Sequence, residues 1–198
     1  MSKILLVTQS GKAEVALSKL IATYFTQYPE KDRSTFNQLI VANNASDAKR
    51  RAFENDFDTI IINCPLIEGN SENLACDLTK TTYSTIIMLV QAKKAKEVEE
   101  IVISEGIFVS SKPIISQLFF ENIRLGQVTR KRLLSLKKEN LDLQVRLEQL
   151  KTINQAKLVL IQKKALSEEQ AHKYIEQQAM NQRKPKIEIA EYILKTYI

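Results

Sequence analysis

Short apolar runs alternate with longer segments of helical periodicity along the first part of the chain. The runs have the length and the β-branched composition of buried strands. They are ILLV at 4–7, QLIVA at 38–42, TIIIN at 59–63, TIIMLV at 85–90 and GIFVS at 106–110. The segments between them repeat apolar residues at helical spacing, as Leu17, Leu20 and Tyr24 do. Strands this apolar are typical of a parallel sheet that helices cover on both faces, so we expect a doubly wound α/β domain with a five-stranded sheet over residues 1–123.

A different pattern follows Pro113, after which no strong helix breaker occurs until about Lys164. Gly126 costs a helix about 1 kcal/mol but need not end it. Within this stretch one set of residues follows the alternating three- and four-residue spacing of a coiled-coil seam. These residues are Leu133, Leu136, Asn140, Leu143, Leu147 and Leu150. An asparagine in such a seam pairs with its twin and favours a parallel dimer, so we expect residues 124–152 to be a dimerisation helix.

The alternative for this stretch is a single amphipathic helix that lies on the N-terminal domain. The narrow stripe favours the coiled coil, because a helix packed on a core shows a broader apolar face. The residues that flank the seam are basic and would repel one another across a parallel pair. They are Arg132, Lys137, Arg146 and Lys151. We therefore expect a dimer of moderate stability.

A third pattern, over residues 153–198, predicts three short helices that share a small core. The first helix continues the coiled coil, and Ser167 to Gln170 have the sequence of a capping box that starts the second. Pro185 is placed for the first turn of the third helix, where its missing N–H costs little. The residues expected to form this core are Ile153, Ala156, Leu160, Ala171, Ile175, Ala179, Ile187, Ala190, Ile193 or Leu194, and Tyr197.

The net charge of +6 is concentrated in the C-terminal part of the chain. Residues 124–198 hold 16 Lys and Arg against 8 Asp and Glu, whereas residues 1–123 hold 13 against 15. A basic segment of this kind indicates a polyanionic partner such as a nucleic acid, although a solvated helix face can also be basic.

Composition also bears on location and on catalysis. The longest apolar runs, Ile86–Val90 and Val159–Ile161, are too short to span a bilayer, and the N-terminus lacks the features of a signal peptide. Cys64 and Cys76 form neither a disulfide framework nor a metal spacing, which favours a reducing cytoplasm. No acid–base pair, nucleophile or metal cluster predicts an enzyme or a cofactor. We expect a cytoplasmic, non-enzymatic protein without a membrane partner.

Fourteen residues of the C-terminal pattern occur in a characteristic order with almost no gap. They are Ile153, Ala156, Lys157, Leu160, Leu166, Ser167, Glu169, Ala171, Ile175, Ala179, Met180, Ile189, Ala190 and Ile193. This order resembles the ANTAR domain, the RNA-binding antiterminator module of AmiR/NasR-type regulators. The family usually has a glycine after the Ala-Lys pair, where Leu158 stands here. The resemblance implies a dimer that binds paired hairpin loops of a leader RNA and prevents transcription termination.

The outward-facing residues of this module are the candidate RNA-binding surface. Lysines seven residues apart share one helix face, and a basic cluster precedes the third helix, whose free N–H groups attract phosphate. Side-chain amides near the end of the second helix can bond to exposed base edges, because proteins read RNA sequence mainly in unpaired loops. The candidate residues are Lys157, Lys164, Gln178, Asn181, Gln182, Arg183, Lys184 and Lys186.

Five polar residues follow or end the predicted strands: Thr8, Gln9, Asn63, Gln91 and Lys112. The N-terminal domain resembles a response-regulator receiver. That resemblance implies an aspartate nucleophile where Asn63 stands, Mg²⁺-binding acids at Thr8 and Gln9, and a hydroxyl residue at Gln91. Lys112 alone matches, and we expect it to be a remnant of the fold or to hydrogen-bond Asn63. The domain is therefore expected to be a pseudo-receiver that is not phosphorylated on aspartate and answers to an unidentified sensor protein or ligand.

Nearby acids and other classes of regulator give the remaining alternatives. Asp58, Glu68 and Asp77 are interpreted as ordinary solvated acids that do not replace the missing nucleophile. A DNA-binding response regulator needs a polar recognition helix for the major groove, whereas the third helix is largely apolar and carries Glu188 and Glu191. A dimeric scaffold that binds only protein is the other alternative.

Overall fold

The computed structural model describes residues 3–28, 37–67 and 70–197. The chain divides into two compact units, residues 1–134 and residues 135–198, and each unit has an apolar core of its own. Glu68, one of the acids considered above, lies outside the described residues.

Within the described residues, unit 1 contains a five-stranded parallel sheet in the order β2-β1-β3-β4-β5. Its strands are β1 (Lys3–Val7), β2 (Gln38–Ala42), β3 (Thr59–Asn63), β4 (Thr85–Gln91) and β5 (Phe108–Lys112). Val7 lies opposite Ile62, and Gln91 lies opposite Lys112. Because the strands run in one direction, their carboxyl ends meet at one edge of the sheet. The predicted doubly wound α/β fold is confirmed.

The strands alternate with helices, and the first three of these helices begin at side-chain caps. The helices of unit 1 are α1 (Gly11–Gln27), α2 (Ala45–Glu54), α3 (Ser71–Thr81), α4 (Ala92–Val102) and the first part of α5 (Ser116–Lys164). Ser10, Asn44 and Asn70 accept hydrogen bonds from backbone N–H groups in the first turns of α1, α2 and α3. Such caps satisfy donors that a helix leaves unpaired at its start.

The fifth strand begins two residues later than the sequence predicts. Gly106, which the apolar pattern assigned to the strand, adopts a left-handed φ of 70° and ends a short 3-10 helix at Ile103–Glu105. Glycine takes this conformation at little steric cost. The turn therefore delays the strand, which ends at Lys112 rather than at Ser110.

Helices cover both faces of the sheet, as the apolar strands require. On one face Leu74, Leu78 and Val102 of α3 and α4 pack against the sheet. On the other face Ile21 of α1 and Phe119 of α5 are fully buried in a second cluster. β3 is buried along its whole length because it is central and covered twice.

The first part of α5 is held against the amino ends of the strands. Arg130 donates from Nη2 to Asp56 and from Nη1 to Asp58, each at 2.7 Å. Gly126 passes so close to Thr85 that an added Cβ would lie 2.2 Å from the threonine Cγ2 atom. This glycine therefore serves a close approach inside a helix that it does not interrupt.

Unit 2 is built from the last part of α5 with α6 (Glu168–Gln182) and α7 (Lys186–Tyr197). Ser167 forms the predicted capping box with Gln170 at the start of α6. Ala156, Leu160, Ala171, Ile175, Ala179, Ala190 and Ile193 are buried together, as predicted. The prediction was wrong for Ile187, which is only partly buried, because Ile189 takes the core position on α7.

Among the described residues, no helix combines the length and the apolar character that crossing a membrane requires.

Candidate functional sites

Polar side chains at the carboxyl ends of β1 and β3 form a buried hydrogen bond. Asn63, at the end of β3, donates from its side-chain Nδ2 to the Thr8 hydroxyl oxygen at 3.0 Å. Thr8 follows β1 directly, and the Ser10 backbone N–H also donates to its hydroxyl at 3.4 Å. Both side chains are buried. A neutral amide and a hydroxyl thus occupy the place that the receiver resemblance assigns to carboxylates.

Lys112 lies at the same edge. The hydrogen bond to Asn63 that we considered for it is not formed, because its ammonium bonds a different oxygen. Its ammonium donates to the carbonyl oxygen of Cys64 at 2.5 Å. Partial burial lowers the pKa of Lys112 from its ordinary value.

The other two residues of this edge are held differently. The Gln9 side-chain oxygen accepts a hydrogen bond from the Ile67 backbone N–H. Gln91 ends β4 with an exposed side chain. The structure therefore brings Thr8, Asn63 and Lys112 together, while Gln9 fastens a loop and Gln91 faces solvent.

This edge offers neither a nucleophile nor a metal site among the described residues. No group of three His, Cys, Asp or Glu side chains that could hold a metal occurs in the described ranges. Burial raises the pKa of the Cys64 thiol to about 11, so the thiol stays protonated at neutral pH. An amide such as Asn63 lacks the charged oxygen that attacks a phosphoryl donor.

Asp58 and Asp77, the two described acids that were considered as replacements for the nucleophile, lie outside this edge. Asp77 contacts the Lys49 ammonium at 2.5 Å, and that hydrogen bond lowers the pKa of Asp77. Asp58 lies at the amino end of β3, where it accepts from the Lys3 backbone N–H at 2.8 Å as well as from Arg130. The interpretation of Asp58 as an ordinary solvated acid was wrong, because α5 supplies a partner from far along the chain.

A basic turn joins α6 to α7 in unit 2. Arg183 ends α6 in the left-handed conformation, with φ of 51°, and is exposed. Lys184 lies 3.7 Å from Glu188, and Lys186 lies 2.5 Å from Glu176. Pairs this exposed contribute little stability. The guanidinium of Arg183 has no hydrogen bond or ion pair within the described residues.

The two candidate lysines of α5 are held by partners from the other helices of unit 2. The Lys157 ammonium lies 3.2 Å from Glu168, and the Lys157 side chain is only 17 % exposed. The Lys164 ammonium lies 4.6 Å from the ring centre of Tyr174 and 5.7 Å from that of Tyr197. The hydrogen bonds that the Lys164 ammonium donates to the hydroxyl oxygens of Tyr197 and Tyr174, the first with the larger effect, raise the pKa of Lys164. Sequence spacing placed both lysines on one helix face but did not reveal these partners.

The candidate amides lie in the last turns of α6. The Gln182 side chain donates to the Gln178 side chain at 3.2 Å, and Asn181 is exposed. Sequence reasoning missed Glu176, which contacts both His172 and Lys186 and so links α6 to the basic turn. The four-residue spacing of His172 and Glu176 was the available sign of the first contact.

The residues of the predicted dimer seam are exposed in the single chain. This holds for Leu133, Leu136, Asn140, Leu143, Leu147 and Leu150. All of them lie on α5, which is helical throughout this stretch. A row of exposed leucines on a helix is the arrangement that pairing with a second helix buries.

The parallel sheet with helices on both faces gives unit 1 the fold of a receiver domain. Solved receiver domains share this fold, at sequence identities that establish the fold alone. One from Clostridium thermocellum has a TM-score of 0.56 and 18 % identity, covering 68 % of this chain and 99 % of that one. A signal receiver domain from Pseudomonas fluorescens has a TM-score of 0.57 and 20 % identity, covering 68 % and 92 %.

Residues 141–194 match the ANTAR domain family. The chain therefore carries an ANTAR domain, and the domain that precedes it has a receiver-like fold. It is also 27 % identical over 114 residues to the aliphatic amidase regulator of Pseudomonas aeruginosa. That similarity covers 58 % of each chain, so it spans little more than half of the relative.

Proposed function

We propose that this protein binds RNA and acts as a transcription antitermination regulator, as a dimer on the paired hairpin loops of a leader RNA. The observation that carries the proposal is the match of residues 141–194 to the ANTAR domain. Two tethered modules that bind two linked loops gain effective concentration, so weak individual contacts suffice.

The basic turn supports an RNA ligand because its cations are exposed. Arg183 is the strongest candidate for direct contact, since its guanidinium is not engaged by another described side chain and can bond a phosphate or a base edge. Lys184 and Lys186 are paired with exposed acids, and RNA phosphates can compete with such solvent-screened pairs. Gln178, Asn181 and Gln182 lie beside Arg183 in sequence and complete the proposed surface.

Lys157 and Lys164 remain in the proposed RNA-binding set with a second task. Each connects α5 to another helix of unit 2, through Glu168 or the tyrosine rings. We infer that Lys157 contributes less to RNA affinity than Arg183, because an ammonium that is mostly covered and already paired gains less from a phosphate.

The receiver-like domain is proposed to control the module without phosphorylation. Asn63 replaces the nucleophile, and the neutral Thr8–Asn63 hydrogen bond occupies the place of a metal site. A sensor protein or a ligand is left as the input. We keep the division into a pseudo-receiver at 1–123, a dimerisation helix at 124–152 and an RNA-binding module at 153–198 as part of this proposal.

The test is a titration of the full chain against a two-hairpin leader RNA, a loop-scrambled RNA and duplex DNA of the same sequence. The Lys157→Ala/Arg183→Ala double variant is titrated in parallel, and Lys195→Ala, another exposed lysine of the same module, is the matched control. We expect binding that depends on the loops and that weakens by about 1–3 kcal/mol in the double variant.

Equal affinity for the three nucleic acids would contradict the proposal and would leave nonspecific charge attraction. Preference for duplex DNA would instead favour the DNA-binding alternative. Failure to bind any nucleic acid would leave the protein-only dimeric scaffold.

A further inference from the structure

The exposed leucines of α5 in unit 2 do not end where the predicted seam ends. Leu136 and Leu147 belong to that seam, and Leu158 follows at the same interval of 11 residues. Eleven residues make about three helical turns with an offset of only about 20°. The three side chains, which we name the leucine stripe, therefore share one face of α5. They are 52 %, 57 % and 57 % exposed.

Leu158 faces away from the core of its own unit. Ala156 and Leu160, two residues to either side, are fully buried against α6 and α7. Residues two apart on a helix point about 200° from each other.

A second asparagine continues the seam towards Leu158. Asn154 follows Asn140 by 14 residues, which is two heptads, and both are exposed in the single chain. Asparagines in the core of a parallel coiled coil pair with their twins and set the register. Asn154 lies four residues after Leu150 and four before Leu158, and it therefore occupies the next seam position after Leu150.

The next position of a strict heptad is Lys157, which cannot enter a seam. Its ammonium is held by Glu168 and its side chain is mostly covered. A four-residue step from Asn154 leads instead to Leu158. An inserted step of this kind locally relaxes the left-handed supercoil, and an 11-residue interval matches a nearly straight helix.

The exposed residues within one helical turn of Leu158 on this face are uncharged, although unit 2 is basic, and Lys151, two turns before it, is paired with Glu148. Asn154, Gln155 and Gln162 are the exposed residues beside it, while Lys157 and Lys164 are drawn to Glu168 and to the tyrosines. A surface for RNA would present cations, whereas a neutral, apolar face with amides is complementary to itself.

We infer that the dimer seam continues past Leu150, through Asn154, to Leu158, and brings the first helices of two ANTAR domains into contact. The occupant of this face is a second copy of the chain. The inference rests on the dimer that we propose above and extends it into the RNA-binding module. Its consequence is a fixed distance between the two RNA-binding surfaces, and hence a preferred spacing between the two hairpins.

Disulfide trapping tests the inference in full-length protein. In a Cys76→Ser background, Leu150→Cys, Leu158→Cys and Met180→Cys are oxidised separately, and covalent dimers are counted. Met180 is the control, because it is 78 % exposed in the same unit but lies on α6. We expect rapid crosslinking at positions 150 and 158 and only background at 180.

Crosslinking at 150 with only background at 158 would overturn the inference and leave the proposed dimer intact. Background at both positions would overturn the dimer, and the extended seam with it. A second measurement is the dimer dissociation constant by sedimentation equilibrium, which we expect Leu158→Glu to raise about tenfold or more because each dimer then carries two facing carboxylates. Met180→Glu should leave it unchanged, and an unchanged value in Leu158→Glu would also overturn the inference.

Discussion

The two candidate sites of this protein treat their polar groups in opposite ways. At the carboxyl edge of the sheet, Asn63, Thr8 and Lys112 are wholly or partly buried. Asn63 donates to the Thr8 hydroxyl oxygen and Lys112 donates to the Cys64 carbonyl oxygen, so both donors end on neutral oxygens of the same domain. At the turn between α6 and α7, Arg183 is exposed and its neighbouring lysines are paired only through solvent-screened contacts. Neutral internal hydrogen bonds stabilise a fold, whereas displayed cations are available to an external anion.

The difference shows how a receiver fold can persist without receiver chemistry. The strands and covering helices need only apolar side chains, and those are present on both faces. Aspartyl phosphorylation needs several carboxylates at one edge, because Mg²⁺ and the nucleophile both depend on charged oxygen. An amide at Asn63 keeps the buried hydrogen bond to Thr8 but offers no charged oxygen, which is why the proposed function places control in contacts rather than in a phosphoryl group.

The largest expected effect is a loss of stability in unit 2 that leaves the stability of unit 1 unchanged. Ile175→Ala removes a side chain that is almost fully buried between the helices of unit 2. We expect a loss of about 2–5 kcal/mol in the free energy of unfolding of that unit, from lost apolar transfer and the cavity that remains.

Denaturant unfolding followed by near-ultraviolet and far-ultraviolet circular dichroism measures this loss of unfolding free energy. An RNA titration of the same variant reports whether unit 2 is still folded. Met180→Ala, an exposed position on the same helix, should change stability by less than about 0.5 kcal/mol. An unfolding transition that shifts unit 1 equally would break the comparison, since the two cores would then be energetically coupled.

An intermediate effect is expected at the edge of the sheet. Asn63→Asp replaces the amide donor to Thr8 with a buried carboxylate, and we expect a loss of about 1–3 kcal/mol of stability. The variant should still gain no phosphoryl group from acetyl phosphate and Mg²⁺, because Thr8 and Gln9 supply no carboxylates for the metal.

Intact-mass spectrometry detects a phosphoryl group directly. Asn44→Asp is the matched control for stability, because aspartate caps α2 as well as asparagine does. A mass increase of one phosphoryl group in Asn63→Asp would show that the edge retains receiver chemistry.

The smallest effect concerns pH and the basic turn. The hydrogen bond from Lys186 holds the pKa of the Glu176 carboxyl below its ordinary value of 4.5. A lowered pKa in the folded state stabilises the fold above the unfolded value, and this contribution disappears as pH falls through the folded pKa. Lys186→Ala should return the pKa of Glu176 towards 4.5 and remove that pH dependence.

Carbon NMR titration of the Glu176 carboxyl group in the full chain measures this shift. Lys195→Ala, on the same helix, should leave the pKa of Glu176 where it is. A pKa that stays equally low in Lys186→Ala would assign the shift to His172, the other contact of Glu176.

Local patterns predicted most of the architecture because their physical causes are local. β-branched runs predicted the strands, Ser167 and Gln170 predicted the start of α6, and the absence of breakers predicted the long helix α5. Gly106 was assigned to the wrong element, since an apolar pattern does not reveal that a glycine adopts a left-handed turn. The candidate cations could be named from the sequence, but their partners could not.

By itself the sequence determined the class of fold, most of the core residues of unit 2 and the absence of a carboxylate at position 63, because these follow from residue type and spacing. Tertiary structure decided which charged side chains are paired within the protein. Arg130 reaches Asp58 across 72 positions of the chain, Lys112 bonds the Cys64 carbonyl, and Lys157 is claimed by Glu168 while Arg183 stays open. Such pairings depend on distances that only the folded chain sets. A hydrogen bond is strongest when donor and acceptor lie within about 3.2 Å of each other, and the attraction between two charges weakens as their separation grows.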